Sequence, residues 1–193
     1  MAKHILFDGT SVEEFLSKDG SPAAWKILED GSFTPDNHGD IYSKFTFKDA
    51  HIHVEWMEPE SPGAEGQWKG NSGVYIHGCY EVQVLDSYGI EEMHPYDCGG
   101  IYTLYAPLVN ACLPPLEWQY YDIYFRAPRY DDAGNVTEDA RATIIQNGQV
   151  IHNNIVLYSS TPGGLGGVVP QGPLMLQDHW CPVRFRNVWV ETL

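Results

Sequence analysis

The sequence predicts an all-β protein, a sandwich or barrel in which two antiparallel sheets enclose the apolar side chains. Apolar and polar residues alternate with a period of two in most segments, which is typical of strands that bury one face. The 19 Gly and 13 Pro residues are spread along the chain, as expected for many short strands joined by turns. Aromatic residues, which suit the pleated surface of a sheet, make up 13% of the sequence.

The composition is that of a folded globular protein with an acidic surface. With 43% hydrophobic and 19% charged residues, the chain is expected to form a single domain over residues 1–193. The net charge of −15 repels phosphate groups, so we expect no nucleic-acid partner and no affinity for anionic membranes. No apolar run is long enough to span a bilayer, so membrane insertion is not expected.

The first third of the chain predicts short strands separated by turns. Residues 11–16 are predicted to form one helical turn, and residues 25–34 a hairpin. In the next alternating strand, His51, His53 and Glu55 share one face. Two imidazoles and a carboxylate at this spacing could hold a metal ion, but an exposed polar face is the interpretation that we favour.

The segment from residue 71 to residue 86 predicts a pair of strands around which the chain is organised. The bend between them is predicted at Gly78 and Cys79. One face of the pair is apolar and is expected to be buried between the sheets: Val74, Ile76, Val82 and Val84. The other face carries a phenol, an imidazole, a carboxylate and an amide, which is how a sugar-binding or acid–base surface is built: Tyr75, His77, Glu81 and Gln83.

The second half of the chain continues the pattern of strands and loops. Further strands are predicted at residues 99–107 and 117–126, and Asn147-Gly148 is the strongest hairpin signal. Residues 173–179 alternate, with Leu174 and Leu176 on one face and Met175, Gln177 and His179 on the other. In the last strand, one face is predicted to carry Phe185, Asn187 and Trp189, and the other Arg184, Arg186, Val188 and Val190.

The four cysteines have no Cys-x-x-Cys spacing, which excludes a zinc ribbon. One or two disulfides and buried free thiols both remain compatible with the sequence: Cys79, Cys98, Cys112 and Cys181.

Short motifs along nearly the whole chain resemble the 3-keto-disaccharide hydrolase family. These are Leu6-Phe7-Asp8-Gly9, Asn71-Ser72-Gly73-Val74, Tyr80-Glu81-Val82-Gln83-Val84-Leu85-Asp86, Gly100-Ile101-Tyr102, Ala106-Pro107, Glu117-Trp118, Asn147-Gly148, Leu176-Gln177-Asp178-His179 and Phe185-Arg186-Asn187-Val188. The resemblance implies a concanavalin A-like jelly roll and cleavage of glycosides that are already oxidised at C3 of the sugar.

The resemblance also implies that the protein acts on carbohydrates in the periplasm or outside the cell. The first residues carry too short an apolar region for a signal peptide. The chain is therefore expected either to be cytoplasmic or to have lost a leader, and the resemblance favours the second alternative.

Two routes to glycoside cleavage are compatible with these residues. The ordinary route needs two carboxylates that flank the scissile bond. Glu81 and Asp86 are the nearest pair in sequence, but alternation places them on opposite faces, and Gln83 stands where a second acid would help. An ordinary retaining mechanism is therefore not favoured.

The second route is an elimination, because a ketone at C3 acidifies the proton at C2. It needs a base, predicted as Glu81 or His179, and an electrophile for the enolate, predicted as Arg186 or a divalent metal. Trp118 could stack on a sugar, but a core position is favoured. The residues predicted to contact the substrate are Tyr75, His77, Gln83, Asp86, Tyr102 and Gln177.

Structural roles compete with these assignments. Glu81 could form an ion pair with Arg186, and the Asp178-His179 dipeptide could simply fix a loop. A carbohydrate-binding module without catalytic activity, resembling a lectin, is the alternative function for the whole chain.

Overall fold

A computed structural model describes residues 2–193 and consists almost entirely of strands. In this part of the chain the one helical segment is a single 3₁₀ turn at Gly66–Trp68. The strands are β1 (Lys3–Phe7), β2 (Phe15–Ser17), β3 (Lys26–Ile27), β4 (Phe33–Thr34), β5 (Ile41–Phe47), β6 (Ala50–Met57), β7 (Ser72–Ile76), β8 (Tyr80–Val84), β9 (Gln119–Arg126), β10 (Arg129–Tyr130), β11 (Val136–Glu138), β12 (Ala140–Gln146), β13 (Gln149–Leu157), β14 (Gly172–Leu176) and β15 (Arg184–Thr192).

The strands form two main antiparallel sheets, which confirms the predicted all-β sandwich. The larger sheet has eight strands in the order β13-β12-β9-β6-β15-β4-β3, with β1 also paired to β15. The smaller sheet has five strands in the order β2-β5-β14-β7-β8. Strands β10 and β11 form a separate hairpin. Neighbours in the sheets are often distant in sequence, so the chain crosses repeatedly between the two layers.

The core lies between the two sheets and follows the predicted alternation. The four apolar residues of β7 and β8 are fully buried in it: Val74, Ile76, Val82 and Val84. The large sheet contributes aromatic and branched side chains, among them Trp56, Tyr121 and Phe125. One of these also ties the layers together, because the Tyr121 hydroxyl donates to the Gln83 carbonyl at 2.6 Å.

Three of the predicted elements are wrong. Residues 11–16 do not form a helical turn: the Phe15 amide donates to the Val12 carbonyl at 3.0 Å in a single tight turn, and β2 begins at Phe15. Residues 99–107 form a looped segment rather than a strand. Its Ile101 makes only isolated bridges to Val82 and Tyr105. This segment nevertheless covers the free edge of β8, since the Gln83 amide donates to the Gly100 carbonyl at 2.9 Å.

The third error concerns β15, where a bulge changes the alternation. The register against β6 shifts between Arg186 and Trp189, and Asn187 adopts a left-handed conformation with φ 46°. A bulge adds one residue to one strand, so the side chains beyond it change faces. Phe185 and Val188 are therefore both buried, whereas Trp189 lies on the outer face.

The hairpin predicted at Asn147-Gly148 is confirmed. The two residues have φ angles of 50° and 80° and connect β12 to β13, as the tight turn between twisted strands requires. All four cysteines are free thiols in this structure. Within residues 2–193, no helix has the length and apolar character needed to cross a membrane.

The alternation along β14 gives a direct test of the fold. Leu176→Ala should lower the free energy of unfolding by about 2–5 kcal/mol, because Leu176 is fully buried in the core. Gln177→Ala should cost only about 1 kcal/mol, since Gln177 lies on the outer side and loses one hydrogen bond, to Tyr75. Denaturant unfolding of both variants measures these losses. Equal losses of unfolding free energy would contradict the inward position of Leu176 and the outward position of Gln177.

Candidate active site

A small pocket lies on the face of the five-stranded sheet that points away from the core. Strands β7 and β8 form its floor, and four segments complete its walls: one before β7, one after β8 and one on either side of β14. Its cavity volume is about 100 Å³, and its lining residues are Gln67, Asn71, Tyr75, Glu81, Gln83, Tyr102, Pro162, Gly163, Gln177 and His179. The structure thus brings together six of the residues predicted to act or bind: Tyr75, Glu81, Gln83, Tyr102, Gln177 and His179.

Glu81 lies in the middle of β8, directly opposite Tyr75 on β7. Its side chain is buried, with only 3% exposure, and no Lys, Arg or His among residues 2–193 forms an ion pair with it. Burial raises the pKa of the Glu81 carboxyl to about 8, and the negative charge of Asp40 adds to the effect, while the Tyr75 hydroxyl opposes it. A group with such a pKa can take or give a proton near neutral pH.

Two glycines leave the space that the Glu81 and Tyr75 side chains occupy. A Cβ atom on Gly73 would lie 2.5 Å from Glu81 Oε1, and a Cβ atom on Gly163 would lie 2.5 Å from the Tyr75 hydroxyl. Both distances are so short that a side chain at either position would displace Glu81 or Tyr75. The pocket therefore depends on glycine at residue 73 of β7 and at residue 163 of the loop above it.

Hydrogen bonds fix Tyr75 and Gln177 on the pocket floor. The Tyr75 hydroxyl donates to the Pro162 carbonyl at 3.1 Å and accepts from Gln177 Nε2 at 3.2 Å. Thr161, next to Pro162, accepts from the Glu81 amide through its hydroxyl at 2.9 Å. The loop at residues 161–163 is thereby joined to the same strands that carry the carboxyl group.

A second set of hydrogen bonds holds the opposite wall. Gln83 Nε2 donates to Gln67 Oε1 at 3.0 Å, and Gln67 Nε2 donates to the Tyr96 carbonyl at 2.8 Å. Asn71 Nδ2 in turn donates to the Gln67 carbonyl at 2.8 Å. The amide groups of Gln83 and Asn71 thus donate within the protein, and Gln83 Oε1 is the acceptor of this wall that has no partner among the described residues.

Three polar atoms of the pocket are buried without a hydrogen-bond partner among residues 2–193: Gln83 Oε1, Gln177 Oε1 and His179 Nδ1. Buried polar atoms are nearly always satisfied, so three such atoms around one cavity indicate groups that a ligand or water would satisfy. The two amide oxygens are suited to accept hydrogen bonds from sugar hydroxyls. His179 can accept or donate according to its protonation state.

His179 lies beyond the end of β14 and is held by its neighbours. Asp178 accepts from the backbone amides of Gly39 and Trp180, each at 3.0 Å. Asp40 accepts from the Asp178 amide at 2.9 Å, and burial raises the pKa of the Asp40 carboxyl. Asp178 therefore has the loop-fixing role that was one alternative for this dipeptide, and it fixes the loop with the His179 ring in the pocket.

Two residues predicted to contact the substrate lie elsewhere. His77 follows β7 in a left-handed conformation (φ 55°) at the bend, so its ring turns inward and packs against Phe47 and Phe125. Asp86 lies beyond β8, where Lys69 Nζ contacts its carboxylate at 3.0 Å. Neither residue lines the pocket, and both predictions are wrong in position.

Arg186 was predicted as a catalytic residue, but the structure places it on the larger sheet. Its guanidinium forms an ion pair with Glu55 and stacks on Trp118 at 4.0 Å from the ring centroid. The predicted pairing of Arg186 with Glu81 is therefore also wrong. Strand alternation gave the correct outward direction for Arg186, but it did not specify the sheet to which the strand belongs.

The strand with two histidines forms a separate polar network on the larger sheet. His51 Nε2 and His53 Nδ1 both contact Asp122 Oδ1 at 2.9 Å. Between residues 2 and 193, no group of three or more His, Cys, Asp or Glu side chains has an arrangement that could hold a metal ion.

Several pocket residues were not predicted from the sequence. Gln67, Asn71, Pro162 and Gly163 come from loops, where strand alternation carries no information. Asp40 lies just before β5 and acts on the pocket through its charge near Glu81. The one available signal was the Gly- and Pro-rich composition of residues 158–172, which marks a long loop in a compact protein.

The raised pKa of Glu81 predicts how stability depends on pH. An unfolded Glu carboxyl loses its proton near pH 4.5, whereas the folded carboxyl keeps it until about pH 8. Between these values only the folded state holds the proton, so rising pH destabilises the native protein. Glu81→Gln should therefore gain stability over the native chain between pH 5 and pH 8.5, by up to a few kcal/mol.

Glu55→Gln is the matched control for this prediction. Burial raises the pKa of Glu55, but hydrogen bonds from Asn187 and Arg186 outweigh burial and leave the pKa lowered. The Gln variant at this position should thus lose stability at neutral pH and approach the native chain below pH 4. Melting temperatures across the pH range measure both effects. Parallel curves for native and Glu81→Gln proteins would mean that Glu81 titrates normally.

Comparisons with known proteins agree with this fold. A crystal structure of a candidate glycosyl hydrolase from Parabacteroides distasonis ATCC 8503 matches with a TM-score of 0.90 and 37% identity, over 99% of this chain and 84% of that one. The carbohydrate-binding module CBM66 from Bacillus subtilis matches with a TM-score of 0.50 and 11% identity, over 87% of this chain and 91% of that one. Alginate lyase Aly36B matches with a TM-score of 0.54 and 9% identity, over 99% of this chain and 97% of that one.

The last two similarities concern the fold alone. A search of curated proteins found no match. The family model described as a 3-keto-alpha-glucoside-1,2-lyase-like domain matches residues 3–191, nearly the whole chain. The resemblance found in the sequence motifs is confirmed: this protein belongs to the family of 3-keto-alpha-glucoside-1,2-lyase-like domains.

Proposed function

We propose that the pocket cleaves neutral glycosides oxidised at C3 by elimination across C1 and C2 of the sugar. The observation that carries this proposal is the Glu81 carboxyl, which is buried, has no cationic partner among the described residues and has a pKa of about 8. Burying a carboxyl in this way is costly, and active sites are where such groups are concentrated. The family description, which refers to a 1,2-lyase of 3-keto-glucosides, supports the same reaction class.

Glu58 shows what a purely structural buried carboxyl looks like in this protein. Its oxygens accept from Trp56 Nε1 at 2.7 Å and from Gln119 Nε2 at 2.6 Å, deep in the core. Glu81 instead borders an open pocket with unsatisfied polar atoms around it. The contrast supports a chemical role for Glu81.

The charge of the pocket supports a neutral substrate. Its lining contains no Lys or Arg, and His179 is its single side chain that can become cationic. A uronate polymer such as alginate carries a carboxylate on every sugar and would meet Glu81, Asp40 and a net charge of −15. The structural similarity to an alginate lyase therefore does not extend to an anionic substrate.

In the proposed reaction, ionised Glu81 removes the proton from C2. The electron pair of the C2–H bond passes toward the C3 ketone, whose oxygen takes up negative charge as an enolate. The electron pair on the enolate oxygen then re-forms the C3 carbonyl. The electrons of the enolate double bond form the C1–C2 double bond, and the bond from C1 to the leaving oxygen breaks. The proton removed from C2 stays on Glu81, and the products are a 1,2-unsaturated 3-keto sugar and the released alcohol. Addition of water across the new double bond completes a net hydrolysis.

Two groups of the pocket are placed to assist this step. The Tyr102 hydroxyl and the His179 ring both line the cavity with Glu81 and can donate a hydrogen bond. We assign the Tyr102 hydroxyl to the ketone oxygen and an N–H of the His179 ring to the leaving oxygen, which takes a proton from water as it departs. This assignment replaces Arg186, which lies on the other sheet.

A conventional double-displacement mechanism is less well supported. It requires a second carboxylate about 5 Å from the first. Gln83 occupies the corresponding position on β8, and Asp86 is paired with Lys69 away from the pocket. Asp40 is near enough to influence the Glu81 charge but does not line the cavity.

Removing the base should lower turnover strongly without unfolding the protein. Glu81→Gln preserves the side-chain volume and should lower the rate of aglycone release from a 3-keto-glucoside by about 100-fold or more. Glu55→Gln is the control, because Glu55 lies on the other sheet and should leave the rate unchanged. The same glycosides without the ketone should release nothing with any variant.

The outcomes separate the alternatives. Release from the oxidised sugar alone supports elimination, and equal release from both sugars contradicts it. Binding of a glycoside without release from either form favours the carbohydrate-binding alternative, in which the unsatisfied amide oxygens only hold hydroxyls. Retention of full activity in Glu81→Gln would remove Glu81 from the mechanism.

The pH profile gives a separate prediction for the role of Glu81. A base must be ionised to act, so kcat/KM should rise with pH and level off above about 8, the pKa of the Glu81 carboxyl. If Glu81 acted as an acid, activity would instead fall through the same range. Initial rates between pH 5 and pH 9.5 distinguish the two roles.

A further inference from the structure

Exposed aromatic side chains stand next to the pocket, and the mechanism above does not use them. We define the aromatic rim as Trp68, Tyr96 and Trp180, which are 72%, 49% and 75% exposed. Large aromatic side chains normally bury most of their surface, so exposed ones around a cleft indicate contact with something outside the chain.

Each member of the aromatic rim is tied to a residue that lines the pocket. The ring of Trp180 lies 5.4 Å from that of His179, and the ring of Tyr96 lies 5.4 Å from that of Tyr102. Trp68 directly follows Gln67 in the 3₁₀ turn. Adjacent Cα atoms are about 3.8 Å apart, so the Trp68 backbone lies beside that of Gln67, which lines the pocket.

The backbone holds Trp180 in an uncommon conformation. Its φ of 56° lies in the left-handed region, which a bulky residue rarely adopts, and its amide donates to Asp178 Oδ1 at 3.0 Å. Strain of this kind is retained mainly where the position of the side chain matters for function. Asp178 is itself fixed by the Gly39 amide, so the backbone that carries the exposed indole is anchored to the loop at Gly39.

The size of the pocket indicates what the aromatic rim would contact. A volume of about 100 Å³ is well below the ~300 Å³ at which pockets enclose a drug-sized ligand, so the cavity has room for one sugar ring at most. Any group attached at C1 must then lie outside, at the level of the rim. Flat apolar surfaces are what indole and phenol rings bind best.

We infer that the aromatic rim is a subsite for the leaving group and that it selects glycosides whose aglycone presents a flat apolar face. This inference rests on the proposed function, because it takes the sugar in the pocket to be the one that is cleaved. The subsite binds the aglycone by stacking and adds no chemical step. It favours aryl glycosides over glycosides of small alcohols.

The test compares phenyl and methyl 3-ketoglucosides as substrates of the native chain and of a Trp68→Ala/Trp180→Ala double variant. The variant should lose about 10-fold or more in kcat/KM for the phenyl substrate through a higher KM, because two stacking surfaces are gone. For the methyl substrate kcat/KM should stay within about twofold, since its small alcohol does not reach the rim.

Trp118→Ala is the matched control. The Trp118 ring lies under Arg186 on the larger sheet, so the loss of this ring should leave kcat/KM unchanged for both substrates. Equal losses for both substrates, or no loss for either, would overturn the subsite. If the native chain releases neither alcohol, both the proposed function and the subsite are contradicted. If the native chain releases both alcohols but the double variant behaves like the native chain, the subsite alone is contradicted.

Discussion

The burial of the Glu81 carboxyl, which has no counter-ion in the described part of the chain, is the constraint around which this site is built. Glu81 lies in the middle of a strand, so its backbone position is fixed by pairing with β7 and by Thr161. Gly73 and Gly163 provide the space for the Glu81 and Tyr75 side chains. The cost of keeping such a group out of water is offset by the rest of the sandwich, whose core is filled with large aromatic and branched residues.

The two faces of the small sheet have different roles: one packs in the core, and the other forms the pocket. Its inner face is mainly apolar, and its outer face carries amides, phenols, an imidazole and the carboxyl group. The larger sheet has its own polar outer face, where Glu55, Arg186 and His53 satisfy one another in pairs. The small sheet differs in leaving acceptor atoms unsatisfied around a cavity. This difference, and not the presence of charged residues as such, distinguishes the candidate site.

The sequence predicted the fold class and the inner and outer faces of β7 and β8 because a period of two follows directly from strand geometry. It misplaced His77, whose left-handed bend ends the alternation, and it misassigned Trp189, which lies beyond a bulge at Asn187. It also predicted an ion pair between Arg186 and Glu81, which lie on different sheets. Alternation shows which side chains share a face of a strand, but it does not show to which sheet the strand belongs. Loop residues such as Gln67 and Gly163 were not predictable, since tertiary contacts alone bring them to the pocket.

The central claim is that Glu81 removes the proton from C2 of a 3-keto sugar, and deuterium incorporation tests it most directly. The reaction is run in D₂O with a 3-keto-glucoside, and the sugar product is examined by NMR against a sample without protein. Elimination followed by addition of water places deuterium at C2, or leaves the 1,2-unsaturated 3-ketone itself, and Glu81→Gln should yield neither. A sugar product that retains the original proton at C2 would contradict the account.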